Sequence, residues 1–431
     1  MRITKAVTNF EREPLSSPFG FKGGYLGELW QTVVRFENRG GCEGTGLGVQ
    51  SVLWSDAAVF SENSESGGNG MMYLMTDFAA KRAVGLEWDM PLDLLDQLLP
   101  VTYEYGKTIS GRPDLRLTFA LNALVAVDNA AWLLYAAEKG ISAFDEMTPP
   151  PFRPPLSARH EKLAAIPLMS YGVPIDQIVR AVDEGYFFLK IKVGADPDKD
   201  GDLDKMLRWD QERLSAIHAA VGGRTTPFTD SGKLVYYLDA NGRYDTIDRV
   251  MRLLDHADAI GALENILLFE EPFPEESQAD VSNLPVIAAA DESAHSDRDA
   301  EERIALGYKA IAVKPIAKTL SMSLKVVHLA HERNIPCFCA DLTVNPVLVE
   351  WNKNVAARLE PLPGMKIGVV ETNGRQNYKN WETMRKYHPR HEAAWTEASD
   401  GVFDLDDDFY RSSGGIFQVG EHYRGLVAPK S

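Results

Sequence analysis

After residue 155 the chain settles into a rhythm that few folds can satisfy. Short apolar runs, each about the length of a strand, alternate with stretches patterned as amphipathic helices. The apolar runs lie at 166–171, 187–193, 234–238, 266–269, 286–290, 310–313, 336–339 and 367–370. Helical patterning fits between most of them, most firmly at 247–256, 298–306, 320–333 and 344–359. About eight strand–helix steps over roughly 230 residues predict an α/β fold, a (β/α)8 barrel of the TIM type. It is expected to span 156–399.

Residues 1–150 read differently. Residues 3–10 alternate, and 29–36 form a β-rich run ended by the turn at 38–41, so 1–60 should hold strands and turns. From 91 to 140 the pattern is helical, and 117–134 is apolar almost all round, which predicts burial. The run TPPPFRPP at 148–155 can be neither helix interior nor central strand and marks a boundary. The expected arrangement is an α+β capping domain over 1–150, with a tail at 400–431 returning to it; residues 414–420 of the tail read as loop and strand.

With 431 residues the chain can bury a large core, and its formal charge of -17 argues against nucleic acid, whose binding rests on basic patches. An acidic protein can still keep a local cationic pocket for an anionic substrate. Cys42, Cys337 and Cys339 form neither a disulfide framework nor a zinc pattern. The first residues lack the apolar core of a signal peptide, and no uncharged apolar run reaches the roughly 18 residues of a membrane span. A reduced, cytoplasmic homo-oligomer is expected, with a small-molecule partner and neither nucleic acid nor membrane.

Barrel active sites gather at the carboxyl ends of the strands. The second strand ends in Lys190-x-Lys192, and residues two apart point to the same side. Two ammonium groups in one cavity disfavour each other, which predicts a lowered pKa for one of them, suited to a base. A solvated lysine pair is the plainer alternative. The third, fourth and fifth strands end in Asp239-x-Asn241, Glu270-Glu271-Pro272 and Asp291-Glu292-Ser293. One such acid is commonly a helix cap. Acids on three successive strands repel unless neutralised, and a hard divalent cation with oxygen ligands does this. The sixth strand ends in Lys314, across the barrel from the second. Bases on opposite faces of one carbon can remove a proton and return it with inversion.

This ordered series resembles the enolase superfamily, within the mandelate racemase/muconate lactonizing enzyme family, nearest its muconate-lactonizing and dipeptide-epimerase branch. The resemblance implies that Asp239, Glu270 and Asp291 hold Mg2+, with Asn241 an auxiliary contact beside it. It implies Lys192 and Lys314 as the general acid/base pair, and Lys190 as a cation for the substrate carboxylate. The reaction implied is abstraction of the proton α to a carboxylate, giving an enediolate. Glu371, ending the eighth strand, would donate to a substrate oxygen if protonated; an ordinary loop acid is the equal alternative.

The departures narrow this. The seventh-strand region 337–345 has no histidine, against the His–Asp pair of the mandelate-racemase branch. Asp341 there is either a substrate contact or overshadowed by a helix cap near Asn345. Relatives carry Gly-Gly soon after the sixth-strand lysine; this chain has Lys318-Thr319, so the local loop should differ. Glu371-Thr372-Asn373 only partly matches the Asp-x-Asp of dipeptide epimerases. His328 and His331 fit a helix surface, while His295 follows the fifth-strand acids towards the site. Residues 16–25 read as a glycine-loosened loop whose Phe19, Phe21 and Tyr25 either close over substrate or pack an interface. The reading is a racemase or epimerase of a carboxylic acid or amino-acid derivative. A lyase (acid-sugar dehydratase or cycloisomerase) shares the enediolate step, and a silent barrel used as a binding protein is the non-enzymatic alternative.

Overall fold

The structure is a computed structural model that describes residues 1–21 and 24–428, Phe21 by its backbone alone. The alternating amino-terminal residues form β1 (Ile3–Phe21), paired antiparallel with β2 (Gly24–Asn38), which also pairs with β3 (Glu43–Gln50). Three helices pack with this sheet: α1 (Ala57–Ala83), α2 (Pro91–Ser110) and α3 (Leu117–Lys139). The sequence did not announce α1. Its residues 61–70 are rich in Ser, Asn and Gly, all poor in a helix interior, and Ser64 breaks it at φ 66°. Packing supplies what propensity lacks: Asn69 is buried and accepts from Val52 N at 3.1 Å.

The sheet meets α3 through a stripe of glycines. Gly44, Gly46 and Gly48 alternate along β3 and therefore share one face. A Cβ at Gly46 would stand 2.2 Å from both Ala126 O and Ala130 N. The helix backbone can thus lie against the strand backbone, and α3 is buried nearly all round, as its composition predicted. It is the one helix among the described residues long and apolar enough to cross a membrane, and its apolar stretch is 94% buried inside the protein.

The second sheet is the barrel. Its strands are β4 (Lys162–Ile166), β5 (Leu168–Met169), β6 (Phe188–Lys192), β7 (Val235–Asp239), β8 (Ile266–Glu270), β9 (Ile287–Ala290), β10 (Ala310–Val313), β11 (Cys337–Cys339) and β12 (Gly368–Glu371). β4 and β5 are one strand interrupted at Pro167. β4 pairs with β12 and β5 with β6, so this strand closes the ring. The firmest predicted helices are present: α6 (Ile247–Ala259), α7 (Asp297–Ala305), α8 (Leu320–Glu332) and α9 (Pro346–Ala356), preceded by α4 (Ile175–Asp183) and α5 (Leu203–Val221).

Two tail expectations change. Residues 414–420 contain no strand; a tight turn at Ser413–Gly415 leads instead to a short helix, α10 (Glu421–Leu426). β13 (Val402–Asp404), within the stretch assigned to the cap, pairs antiparallel with β4 and extends the barrel sheet. The tail reaches the cap at Ser413, whose Oγ accepts from Phe144 N at 2.8 Å, and through α10, where Leu426 O accepts from Asn9 Nδ2 at 2.8 Å and His422 contacts Glu11.

Gly46→Ala should lower the melting temperature, by the equivalent of about 1–3 kcal/mol, because the obstructing atoms are backbone and cannot move aside. Gly223→Ala, where a Cβ meets nothing within 4 Å, serves as the control. Equal melting of the two variants by calorimetry would contradict this packing.

Candidate active site

Strand register sets the site. Lys192 is level with Asp239, Asp239 with Glu270, and Glu270 with Ala289. Lys190 is one inward step below, level with Tyr237. Asp291 follows two residues after Ala289, on the same side. β6 and β10 are four steps apart in an eight-step ring, so Lys192 and Lys314 enter from opposite sides. All of these groups are buried.

Apart from Glu270, these acids and lysines line a cavity under the cap. Its wall includes Lys190, Lys192, Asp239, Asn241, Asp291 and Lys314, then Asp341 and Glu371 across the barrel. The described residues of 16–25 are paired strand rather than a loose loop: Phe19 pairs with Leu26, and Gly20 with Tyr25. Alternation then separates the aromatics. Phe19 and Leu26 face the cavity, while Tyr25 is 58% exposed, outside it and 5.6 Å from the Lys199 ammonium. The Phe21 side chain, Lys22 and Gly23 lie outside the described residues.

The charges are dense. Lys190 Nζ lies 3.0 Å from Asp239, 3.1 Å from Glu270 and 3.0 Å from Glu371. Lys192 Nζ donates to Asp239 Oδ2 at 2.5 Å and Asn241 Oδ1 at 2.6 Å. Lys314 pairs with Asp291 Oδ2 and stacks 4.7 Å from the Trp54 ring centroid. The expectation of a lowered lysine pKa is reversed at Lys190. Burial works against its charge, but Asp239, Glu270 and Glu371 outweigh burial and hold it well above the usual value. Lys314 is raised in the same way: burial works against its charge, but Asp291, Glu270 and Glu292 together outweigh it. The acids outnumber the lysines, and some give way. Burial pushes Glu270 up to about 7 and Glu271 up to about 8.

Among the described residues, carboxylate oxygens of Glu270, Asp291 and Glu292 lie within 4.8 Å of one another, all buried. This cluster can hold a metal ion, and its all-oxygen donor set and surplus of buried acid suit a hard divalent cation. Asp239, expected as a ligand, stands beside the cluster, its Oδ2 held by both lysines of β6. Glu292 was not singled out from the sequence; it accepts from Asn241 Nδ2 at 2.9 Å.

Across the barrel, Glu371 accepts from Lys190, from Asp341 N at 3.0 Å and from Asn373 Nδ2 at 3.3 Å. With donors on all sides it is an acceptor, and the expected donation to substrate has no support in this geometry. Asp341 lines the cavity, but its Oδ2 accepts from Asn373 N at 2.8 Å, while Asn345 caps α9 through Leu348 N at 2.9 Å. His295 turns away to Glu275. His328 lies on α8, 3.6 Å from Glu332. Trp54, Leu26, Leu29 and Leu342 complete the wall. No short motif marks them: Trp54, Leu26 and Leu29 reach the cavity only through cap–barrel docking, and Leu342 from the segment after β11. Thr319, in the loop expected to differ, takes φ 71°, the region that favours glycine.

Residues 175–365 match the enolase C-terminal domain-like family of the mandelate racemase and muconate lactonizing enzymes. This segment belongs to the enolase superfamily. Solved structures agree on the fold. The dipeptide epimerase of Enterococcus faecalis V583, complexed with Mg and L-Leu-L-Tyr, superposes with TM-score 0.61 at 18% identity over 88% of this chain and 92% of its own. A mandelate racemase/muconate lactonizing protein of Herpetosiphon aurantiacus gives 0.64 at 16% over 94% and 96%. The N-succinyl Arg/Lys racemase of Bacillus cereus ATCC 14579 gives 0.61 at 18% over 88% and 89%. No curated protein matches the chain.

Burial, then the charge of Glu371, pushes Asp341 up to about 7. The unfolded value is about 3.9, so the native state binds the extra proton between those limits and stability falls as pH rises through them. Asp341→Asn keeps an acceptor for Asn373 N and removes the titration. It should lose about 1–2 kcal/mol less stability than wild type between pH 5 and 7.5 in urea unfolding. An unchanged pH dependence would contradict the buried carboxyl.

Proposed function

We propose that the protein is a Mg2+-dependent racemase or epimerase that removes and returns the proton α to a carboxylate. The observation that carries this is the pair of lysines, Lys192 and Lys314, entering one cavity from opposite strands with strand-end acids between them.

Asp239, Glu270 and Asp291 are the proposed ligands, with Glu292 orienting Asn241. Lys192 lies 2.5 Å from Asp239 Oδ2 and would have to leave it for Asp239 to join a metal site. Its stem is flexible enough to swing the ammonium into the cavity. When bound, Mg2+ would supply a Lewis-acidic charge that polarises the substrate carboxylate and offsets the acids now holding Lys190 and Lys314 protonated. Lys190 stays charged and anchors the carboxylate. One of Lys192 and Lys314 takes the α-proton as the neutral amine, and the other, as the ammonium, delivers a proton to the opposite face. The cap's Phe19 and Leu26, with Trp54, keep water from the carbanionic carbon.

The far end of the cavity points to the substrate's other half. Asp341 and Glu371 are occupied by donors, and the neighbouring wall is Leu168, Leu342 and Thr343. This end suits an uncharged substituent better than the free ammonium of a dipeptide.

In D2O with Mg2+, α-deuterium should enter carboxylates bearing a blocked or absent amine, with product mass otherwise unchanged. Lys192→Met and Lys314→Met should each slow turnover at least about 100-fold, the usual worth of a positioned acid or base. Loss of water from the substrate would instead mark a lyase, and no exchange across a broad library of acids would mark a binding protein.

Calorimetric titration with Mg2+ tests the ligands separately. Asp239→Asn, Glu270→Gln and Asp291→Asn should each weaken binding more than about tenfold, and Glu292→Gln less. Weak binding in Glu292→Gln together with an unaffected Asp239→Asn would transfer the third ligand position to Glu292.

A further inference from the structure

Lys318 has no place in the proposed reaction, yet it is buried against one of the proposed ligands. It closes the Pro315–Lys318 turn after β10 and is 3% exposed. Its ammonium donates to the carbonyl oxygens of Asp291 at 2.5 Å and Ala294 at 3.0 Å, and stands 3.3 Å from Asp291 Oδ1. Lys314 takes the other carboxylate oxygen, Oδ2. One carboxylate is therefore bracketed by two lysines of a single turn. Lys314 lines the substrate cavity, and Lys318 does not. Lys318 instead lines a separate small cavity with Ala312, Val313, Met322 and Val326.

The next residue holds the turn from the other side. Thr319 adopts φ 71° and ψ 152°, a conformation that glycine adopts freely and threonine rarely does. Its Oγ1 accepts from Met322 N at 3.1 Å, capping α8. The backbone is thus fixed by a helix cap after Lys318 and by two carbonyl contacts through Lys318 itself.

We propose that Lys318 is a positioning residue for the metal centre: it fixes the Asp291–Ala294 backbone and the Asp291 carboxylate in the orientation that receives the cation. The inference rests on the metal-dependent reading above. Two roles for a lysine here predict opposite signs. A merely electrostatic lysine beside a ligand repels the incoming cation, so its removal tightens binding. A lysine that orients the ligand weakens binding when removed, as partners behind metal ligands do. Two of its three contacts are to carbonyl oxygens, which favours orientation.

The test is Mg2+ titration calorimetry on wild type, Lys318→Met and Lys318→Gln, with circular dichroism and metal-free melting run on each. The expected result is Mg2+ binding about tenfold weaker in both folded variants. Should Lys318→Met fail to fold, Lys318→Gln, which keeps a polar end in the same space, gives the reading. Affinity within twofold of wild type, even with a lower melting temperature, assigns Lys318 to packing alone and overturns the proposal. Tighter binding overturns it as well. A wild type that binds no Mg2+ overturns the metal-dependent function, and this inference with it; a wild type that binds while both variants match it overturns this inference alone.

Discussion

The barrel mouth buries more carboxyl groups than ammonium groups, and the rest of the molecule is arranged around that imbalance. Asp239, Glu270, Glu271, Asp291, Glu292, Asp341 and Glu371 are all buried there, against Lys190, Lys192, Lys314 and Lys318. Each unpaired buried charge costs several kcal/mol, so the groups must share partners, take up protons or bind a cation. All three responses have a place here. Lys190 is shared among three acids, Glu270 and Glu271 are pushed towards their protonated forms, and three carboxylates converge closely enough for a metal.

Such a cluster keeps its low dielectric only if the mouth is covered, and the cap does that through a second buried polar contact. Asp128 on α3 accepts from Ser321 Oγ at 2.5 Å and Ser321 N at 3.0 Å, capping the start of α8 from the other domain. Trp132 Nε1 donates to the same hydroxyl at 3.0 Å. The helix that lies on the glycine stripe of β3 is therefore fixed to the segment that follows Lys314 and Lys318. Trp54, just after β3, stacks on Lys314 itself. Cap packing and the geometry of the lysines are one continuous structure.

Much of the site was legible because strand periodicity is simple. Lys190 and Lys192, Asp239 and Asn241, Glu270, Asp291 and Lys314 sit where apolar runs end, and parallel register brings such ends together. Signals that depend on docking were silent. Trp54 and Leu26 carry no motif, and Glu292 differs from its neighbour Asp291 only in where its side chain turns. Tyr25 and Phe19 looked alike until the hairpin register put them on opposite faces. The helix α1 was hidden because many of its residues favour other conformations, and packing of Gly68 and Asn69 against Val52 overrides them.

The sequence by itself determined the alternation of strand and helix, the ring it closes, and which strand ends bear acids and lysines, because these follow from local periodicity and chain order. Tertiary structure decided the charge states and partners. Two adjacent lysines suggest mutual repulsion in a linear sequence. Folding surrounds Lys190 with carboxylates from β7, β8 and β12, and that field, absent from any local window, reverses the sign of its pKa shift.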